Sequence, residues 1–135
     1  MNSPIRVLHV EDNRMEALLT RKLLENAGVG RFHVTQTDTL AKAKLVLEQN
    51  AFDIVLLDLF LPDAQGVDLL YAIQQIVPTL PIIAITGQEE EFGLQAMRAG
   101  AQGCLLKGKF KPQTLIDSID HAIEQKQAEL TRPDS

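Results

Sequence analysis

Residues 52–66 read FDIVLLDLFLPDAQG, and the fold follows from how this stretch is interpreted. Ile54, Val55, Leu56 and Leu57 form a short apolar run with no polar alternation, while Pro62 and Gly66 shape a loop behind it. Such a run is what a strand buried on both faces requires, and that points to a parallel sheet covered by helices. Asp58 ends the run, ahead of Leu59, Phe60 and Leu61. A lone carboxylate in such surroundings is costly unless it is paired or holds a metal. Asp58 therefore needs a partner.

Working outward, strand-like and helical segments alternate. IRVLHV (5–10) reads as the first strand. NRMEALLTRKLLENAG follows as a helix, with Met15, Leu18, Leu19 and Leu23 on one apolar face and Gly28 as its stop. FHVTQT (32–37) is the second strand and LAKAKLVLEQN a short amphipathic helix. FDIVLLD (52–58) is the third strand, VDLLYAIQQIV its helix, and LPIIAIT (80–86) the fourth strand. A helix through EEEFGLQAMRAG leads to a fifth strand, GCLLK (103–107). PQTLIDSIDHAIEQKQAEL is the last helix, with Pro112 near its start. Five βα units in succession predict an α/β fold: a flavodoxin-like doubly wound parallel sheet of order 2-1-3-4-5 with right-handed crossovers.

Composition sets the bounds. The chain has 135 residues, 45 % of them hydrophobic, which suits one domain with a real core. A net charge of −5 argues against a general nucleic-acid surface. Cys104 is the single cysteine, so neither an internal disulfide nor a cysteine-cluster metal site is available. That fits a reducing, cytoplasmic setting. No signal peptide precedes the first strand, and no apolar stretch approaches the ~20 residues that span a bilayer, so membrane insertion is not expected.

Polar groups cluster where such sheets bind ligands, outside the carboxyl ends of the strands. Glu11 and Asp12 follow the first strand, Asp58 ends the third, Thr86 the fourth and Lys107 the fifth. Each has a plain structural explanation. Asp12 or Asn13 could cap the first helix, with Glu16 closing a capping box behind Asn13. Asp58 could simply open a loop, Thr86 before Gly87 could serve a turn, and a lysine at a strand end is usually a surface lysine. Their joint occurrence at adjacent strand ends favours one cleft. Three crowded carboxylates raise one another's pKa unless cations intervene. Mg²⁺ suits them, because it takes hard oxygen ligands and usually one or two carboxylates. An ionised Asp58 could then attack phosphorus as a carboxylate nucleophile, with Lys107 and the metal neutralising charge and the Thr86 hydroxyl donating to a phosphoryl oxygen.

With these segments in order, the sequence resembles a response-regulator receiver domain of bacterial two-component and phosphorelay signalling. VLHVEDN resembles the acidic-pair motif and DIVLLDLFLPDAQGVDLL the phosphoacceptor strand and loop. PIIAITG resembles the Thr strand and AGAQGCLLKGKF the Lys strand. The likeness runs from about residue 4 to 126. It implies that Asp58 accepts a phosphoryl group from a sensor histidine kinase or a histidine phosphotransfer protein. It implies Mg²⁺ held by Asp12, Asp58 and the backbone carbonyl of Phe60, with Glu11 acting mainly through water. Thr86 and Lys107 would hold the phosphoryl group, Lys109 being a competing lysine. The chain would be a signalling phosphoacceptor that phosphorylates and dephosphorylates itself, not a turnover enzyme.

Four positions limit what the family pattern implies here. The lysine is followed by Gly108, where the family usually has proline. Cys104 stands three before the lysine, where a Tyr or Phe commonly rotates inward, and is read as a small packing residue. Phe60 and Gln88, two residues past Asp58 and Thr86, would flank the phosphoryl group and shape the access of water. His9, His33 and His121 show no ligand spacing, and His9 is read as a satisfied structural histidine.

For output, residues 1–126 are assigned to the receiver and 127–135 to a helix extension with a flexible tail or a cut linker. Ile116, Ile119, Ile123 and Leu130 form a stripe on the last helix. It could pair two copies of the chain, but the preferred reading is that the isoleucines pack on the sheet and the tail frays. A partner protein or output domain, with no direct nucleic-acid contact, would read the signal. A haloacid-dehalogenase-like enzyme is disfavoured, since its paired aspartates end the first strand and position 60 is Phe. Flavin binding would call for a hydroxyl-rich loop where Glu11 and Asp12 stand. The alternative kept open is a degenerate receiver that serves as a phosphorylation-independent interaction module.

Overall fold

The computed structural model describes residues 3–87, 90–108 and 110–131. Elements alternate strictly: β1 (Ile5–Val10), α1 (Arg14–Glu25), β2 (Phe32–Thr37), α2 (Leu40–Gln49), β3 (Ile54–Asp58), α3 (Val67–Ile76), β4 (Ile82–Thr86), α4 (Glu90–Arg98), β5 (Gly103–Leu106) and α5 (Pro112–Leu130). The five strands form one parallel sheet in the order β2-β1-β3-β4-β5, as expected from the sequence. Strand starts come later than the apolar patterning suggests. β3 begins at Ile54 rather than Phe52 and β4 at Ile82 rather than Leu80, and Lys107 lies one residue beyond β5. Gln88, Lys109 and residues 132–135 lie outside the described residues.

Alternation along the strands feeds two cores. Leu8, Val10, Val55, Leu57, Ile82 and Ala84 pack with α2, α3 and α4. Val7, Ile54, Leu56, Ile83 and Ile85 pack with Leu24 of α1 and with Leu115, Ile116 and Ile119 of α5. Burial on both faces explains the unbroken apolar runs in β3 and β4.

α1 corrects the sequence reading. Its inward face is Ala17, Thr20 and Leu24, while Met15, Leu18 and Leu19 are exposed and Leu23 is only partly buried. The helix carries two apolar stripes. Ala17 and Thr20 are small enough to let its axis approach the sheet, so the bulkier stripe turns outward. Asn13 caps the helix, its side-chain oxygen accepting from the Glu16 amide at 3.1 Å. In α5, Ile116 and Ile119 are buried and Ile123 packs beside them, as preferred, and the helix runs over Pro112–Leu130, the stretch read as helical from the sequence. Gln102, buried ahead of β5, accepts from the Ile82 amide at 2.9 Å and donates to Glu129 at 3.3 Å, which ties the end of α5 to the sheet. No helix among the described residues is long and apolar enough to cross a membrane.

A candidate phosphoacceptor site at the strand ends

Backbone pairing brings the polar residues together. The Glu11 amide donates to Thr37 O at 2.9 Å, extending the β1–β2 ladder by one residue. Asp58 is paired in register with Ile85, one residue before Thr86, and the Lys107 amide donates to Thr86 O at 2.8 Å. Glu11, Asp58, Thr86 and Lys107 are thus held at one edge of the sheet by main-chain hydrogen bonds, independently of their side chains.

Asp58 is 1 % exposed and receives two donors: the Phe60 amide at 3.0 Å on Oδ1 and Lys107 Nζ at 2.9 Å on Oδ2. Glu11 is equally buried. Lys107 Nζ lies 2.8 Å from its Oε1 and 3.0 Å from its Oε2, and the Asn13 amide donates to Oε2 at 3.1 Å. One ammonium therefore bridges two buried carboxylates.

The charge balance remains uneven. Burial pushes the Glu11 carboxyl up, contact with Asp58 pushes it further, and Lys107 only partly opposes this, leaving it at about 7 against an ordinary 4.5. For Lys107, burial pulls the ammonium down, but the hydrogen bonds to Glu11 and Asp58 outweigh it and hold its pKa above the usual lysine value. Asp12 is exposed at the rim. One carboxylate oxygen from each of Glu11, Asp12 and Asp58 lies within 4.8 Å of the others. When all three carboxyls are ionised they outnumber the single ammonium by two charges, and their hard oxygen donors fit a small divalent cation.

A cavity of about 400 Å³ opens over Asp58, lined also by Asp12, Phe60, Thr86, Phe92 and Lys107. Among the described residues, the Thr86 hydroxyl oxygen is buried without a hydrogen-bond partner. A buried hydroxyl with nothing to bond is unfavourable, and beside a cavity it suits a ligand oxygen. A larger cavity, about 710 Å³, is lined by the segment leading into β1 and by α5, with Arg6 and Asp53 in its wall. Its Arg6–Asp53 pair, 3.3 Å apart, is largely exposed to solvent, unlike the buried carboxylates held by Lys107 at Asp58.

Three neighbours qualify the sequence reading. His9 is buried, but its Nδ1 has no partner among the described residues, so it is not the fully satisfied histidine expected; burial lowers its pKa to about 4, and it stays neutral. Gly108 has φ +70, a left-handed conformation open to glycine at no steric cost, and this gives the loop after Lys107 its path without a proline. Cys104 Sγ packs against Gly93 of α4 so closely that a Cβ there would collide with it, and burial raises the thiol pKa. The sequence offered no sign of Phe92. It reaches the cavity from α4, more than thirty positions from Asp58, and its ring meets Phe60 edge-on with centroids 6.2 Å apart.

The resemblance to known proteins agrees with this arrangement. A family model described as response regulator receiver domain matches residues 7–120. The chain is 30 % identical over 129 residues to chemotaxis protein CheY-3 of Vibrio cholerae, covering 93 % of this chain and 96 % of that protein. It is 31 % identical over 112 residues to the two-component response regulator ORR1 of Oryza sativa, covering 76 % of this chain and 48 % of that one. The chain spans about half, or less, of the length of several curated relatives it matches. A CheY-like response regulator receiver domain protein from Methanospirillum hungatei superposes with a TM-score of 0.81 at 26 % identity, covering 94 % of this chain and 99 % of that one. A five-stranded sheet in this order, an acidic cluster at its carboxyl edge and a family match over most of the length lead to one conclusion: the chain belongs to the response regulator receiver domain family.

Proposed function

We propose that this receiver accepts a phosphoryl group on Asp58 from a phosphohistidine, on a sensor histidine kinase or a histidine phosphotransfer protein, in a reaction that requires Mg²⁺. The observation that carries this reading is the setting of Asp58: a buried carboxylate at a cavity floor, 2.9 Å from Lys107 Nζ and beside an unpartnered Thr86 hydroxyl. An Asp58 carboxylate oxygen attacks phosphorus and forms the O–P bond. The P–N bond breaks, and the imidazole nitrogen keeps the electron pair. Asp12, Asp58 and the Phe60 carbonyl would ligate Mg²⁺, with Glu11 acting mainly through water. The ion would offset the negative charge that gathers on the phosphoryl oxygens. Lys107 leaves the carboxylates for a phosphoryl oxygen, and the Thr86 hydroxyl donates to another.

The added charge of nearly two units then biases a pre-existing equilibrium of the surrounding loops and helices, which a partner or output domain reads. Residues 1–126 act as the receiver, and 127–135 serve as a C-terminal extension or linker toward whatever reads the signal, with α5 running to Leu130. The self-catalysed steps are phosphorylation from a donor and slow hydrolysis, with no turnover of a small substrate. The complete set of Asp12, Asp58, Thr86 and Lys107 favours this over a phosphorylation-independent interaction module.

Intact mass after incubation with acetyl phosphate and Mg²⁺ tests the proposal. The expected result is one added phosphoryl group, absent without Mg²⁺ and absent in Asp58→Ala. A folded protein that takes no label from acetyl phosphate or from a phosphorylated histidine kinase would overturn it.

A further inference from the structure

The ring pair Phe60–Phe92 has no part in ligating the metal or holding the phosphoryl group, yet both rings line the cavity over Asp58. Phe60 is 54 % exposed and follows the acceptor by two residues, in a loop closed by an antiparallel bridge from Phe60 to Gln65. Phe92 supports this ring from the other side. It is half-buried, packs against the core shared by α2, α3 and α4, and lies next to Gly66 at the start of α3. The following residue, Gly93, is pressed onto Cys104 of β5. α4 is thereby anchored at the ring that supports Phe60.

We infer that Phe92 is a positioning residue: it holds Phe60 as an apolar wall of the cavity and so slows hydrolysis of the phosphorylated Asp58. This rests on the function proposed above. Hydrolysis needs a water oxygen to attack phosphorus in line with the Asp58 O–P bond. That bond then breaks, the carboxylate is restored, inorganic phosphate leaves and the water proton passes to phosphate or solvent. The attacking water must approach from the side opposite Asp58, through the cavity. Two aromatic rings offer it neither donor nor acceptor, and they occupy volume it would otherwise fill. Because one ring belongs to α4, any displacement of α4 by a bound partner would also move the wall. Phosphate lifetime is in this way coupled to what α4 contacts.

The test is a chase experiment. Wild-type protein, Phe92→Ala, Phe92→Tyr, Phe60→Ala and the double alanine variant are loaded with acetyl phosphate and Mg²⁺, desalted rapidly and followed by intact mass. Phe92→Ala and Phe60→Ala should each lose phosphate about fivefold faster or more, since either change opens the cavity to water. Phe92→Tyr should restore the wild-type rate. The double variant should be no faster than the faster single one, because the rings act as a unit. Mg²⁺-induced thermal shifts of the Phe92→Ala and Phe92→Tyr variants should match wild type, which a general collapse of the site would not allow. The exposed Phe60→Ala change provides the comparison even if Phe92→Ala folds poorly. Labelled wild type with alanine variants that lose phosphate within twofold of its rate overturns the inference alone, as do single effects that multiply in the double variant. Wild type that takes no phosphoryl group overturns both the inference and the function beneath it.

Discussion

Replacing Asp58 with asparagine should make the metal-free protein more stable, although it removes one half of a buried ion pair. The Glu11 carboxyl is raised from 4.5 to about 7. At about 1.4 kcal/mol per pKa unit, the folded state disfavours ionised Glu11 by about 3 kcal/mol. Burial is the largest cause and contact with Asp58 the next, with Lys107 opposing. The introduced amide keeps one oxygen as an acceptor for Lys107 and gains a nitrogen that can donate to Glu11; it gives up the charge attraction to Lys107 and the acceptor facing the Phe60 amide, and the relief of like-charge crowding on Glu11 has to exceed those losses. We expect a gain of about 1 kcal/mol, seen as a rise of about 0.5 M in the urea midpoint in EDTA at pH 8. The pH dependence follows from the direction of the Glu11 shift. A carboxyl raised in the folded state costs nothing below its unfolded value, and its penalty grows as pH rises toward the folded value. The advantage of the Asp58→Asn protein should therefore vanish near pH 4.5 and be complete above pH 7. With Mg²⁺ held as proposed, saturating Mg²⁺ should reverse the order, because the variant has lost one of the ion's carboxylate ligands. An Asp58→Asn protein no more stable than wild type at pH 8 in EDTA would refute like-charge crowding as a cause of the Glu11 shift.

Other expectations follow from packing and capping. Leu24→Ala should cost about 2–5 kcal/mol in urea unfolding and Leu19→Ala about 0.5 or less, because Leu24 is buried and Leu19 is 55 % exposed. Equal losses would restore the apolar face first read from the sequence. Asp63 lies in the loop after β3, yet its carboxylate accepts from the Leu40 amide at 2.9 Å and the Ala41 amide at 3.0 Å at the start of α2. Asp63→Ala should lower stability by about 1 kcal/mol. The hydrogen bonds from Leu40 and Ala41 lower the Asp63 pKa, so this contribution should be present at neutral pH and lost as acid takes the pH through the lowered folded value; a loss that persists unchanged in acid would count against the cap.

Much was legible in the order of residues. Unbroken apolar runs at 54–57 and 82–85, alternating with helical segments, require a sheet covered on both faces, and strand order follows from chain handedness and short connections. Because parallel strands share one carboxyl edge, Glu11, Asp58, Thr86 and Lys107 could be assigned to a common cleft from their places at strand ends alone. What only the tertiary structure decided depends on distance and orientation between elements. Which stripe of α1 faces inward depends on how closely Ala17 and Thr20 let the helix approach, and periodicity does not encode that distance. The bridging of Glu11 and Asp58 by one ammonium, and with it the raised Glu11 pKa, depends on how deeply the strand ends are buried. The meeting of Phe60 with Phe92 depends on where α4 lies against β5, set by Gly93 against Cys104. Local sequence determines what an element is and which of its ends carries chemistry. Contacts between residues far apart in the chain are set by side-chain volume across the interface, which becomes defined only when the layers are packed together.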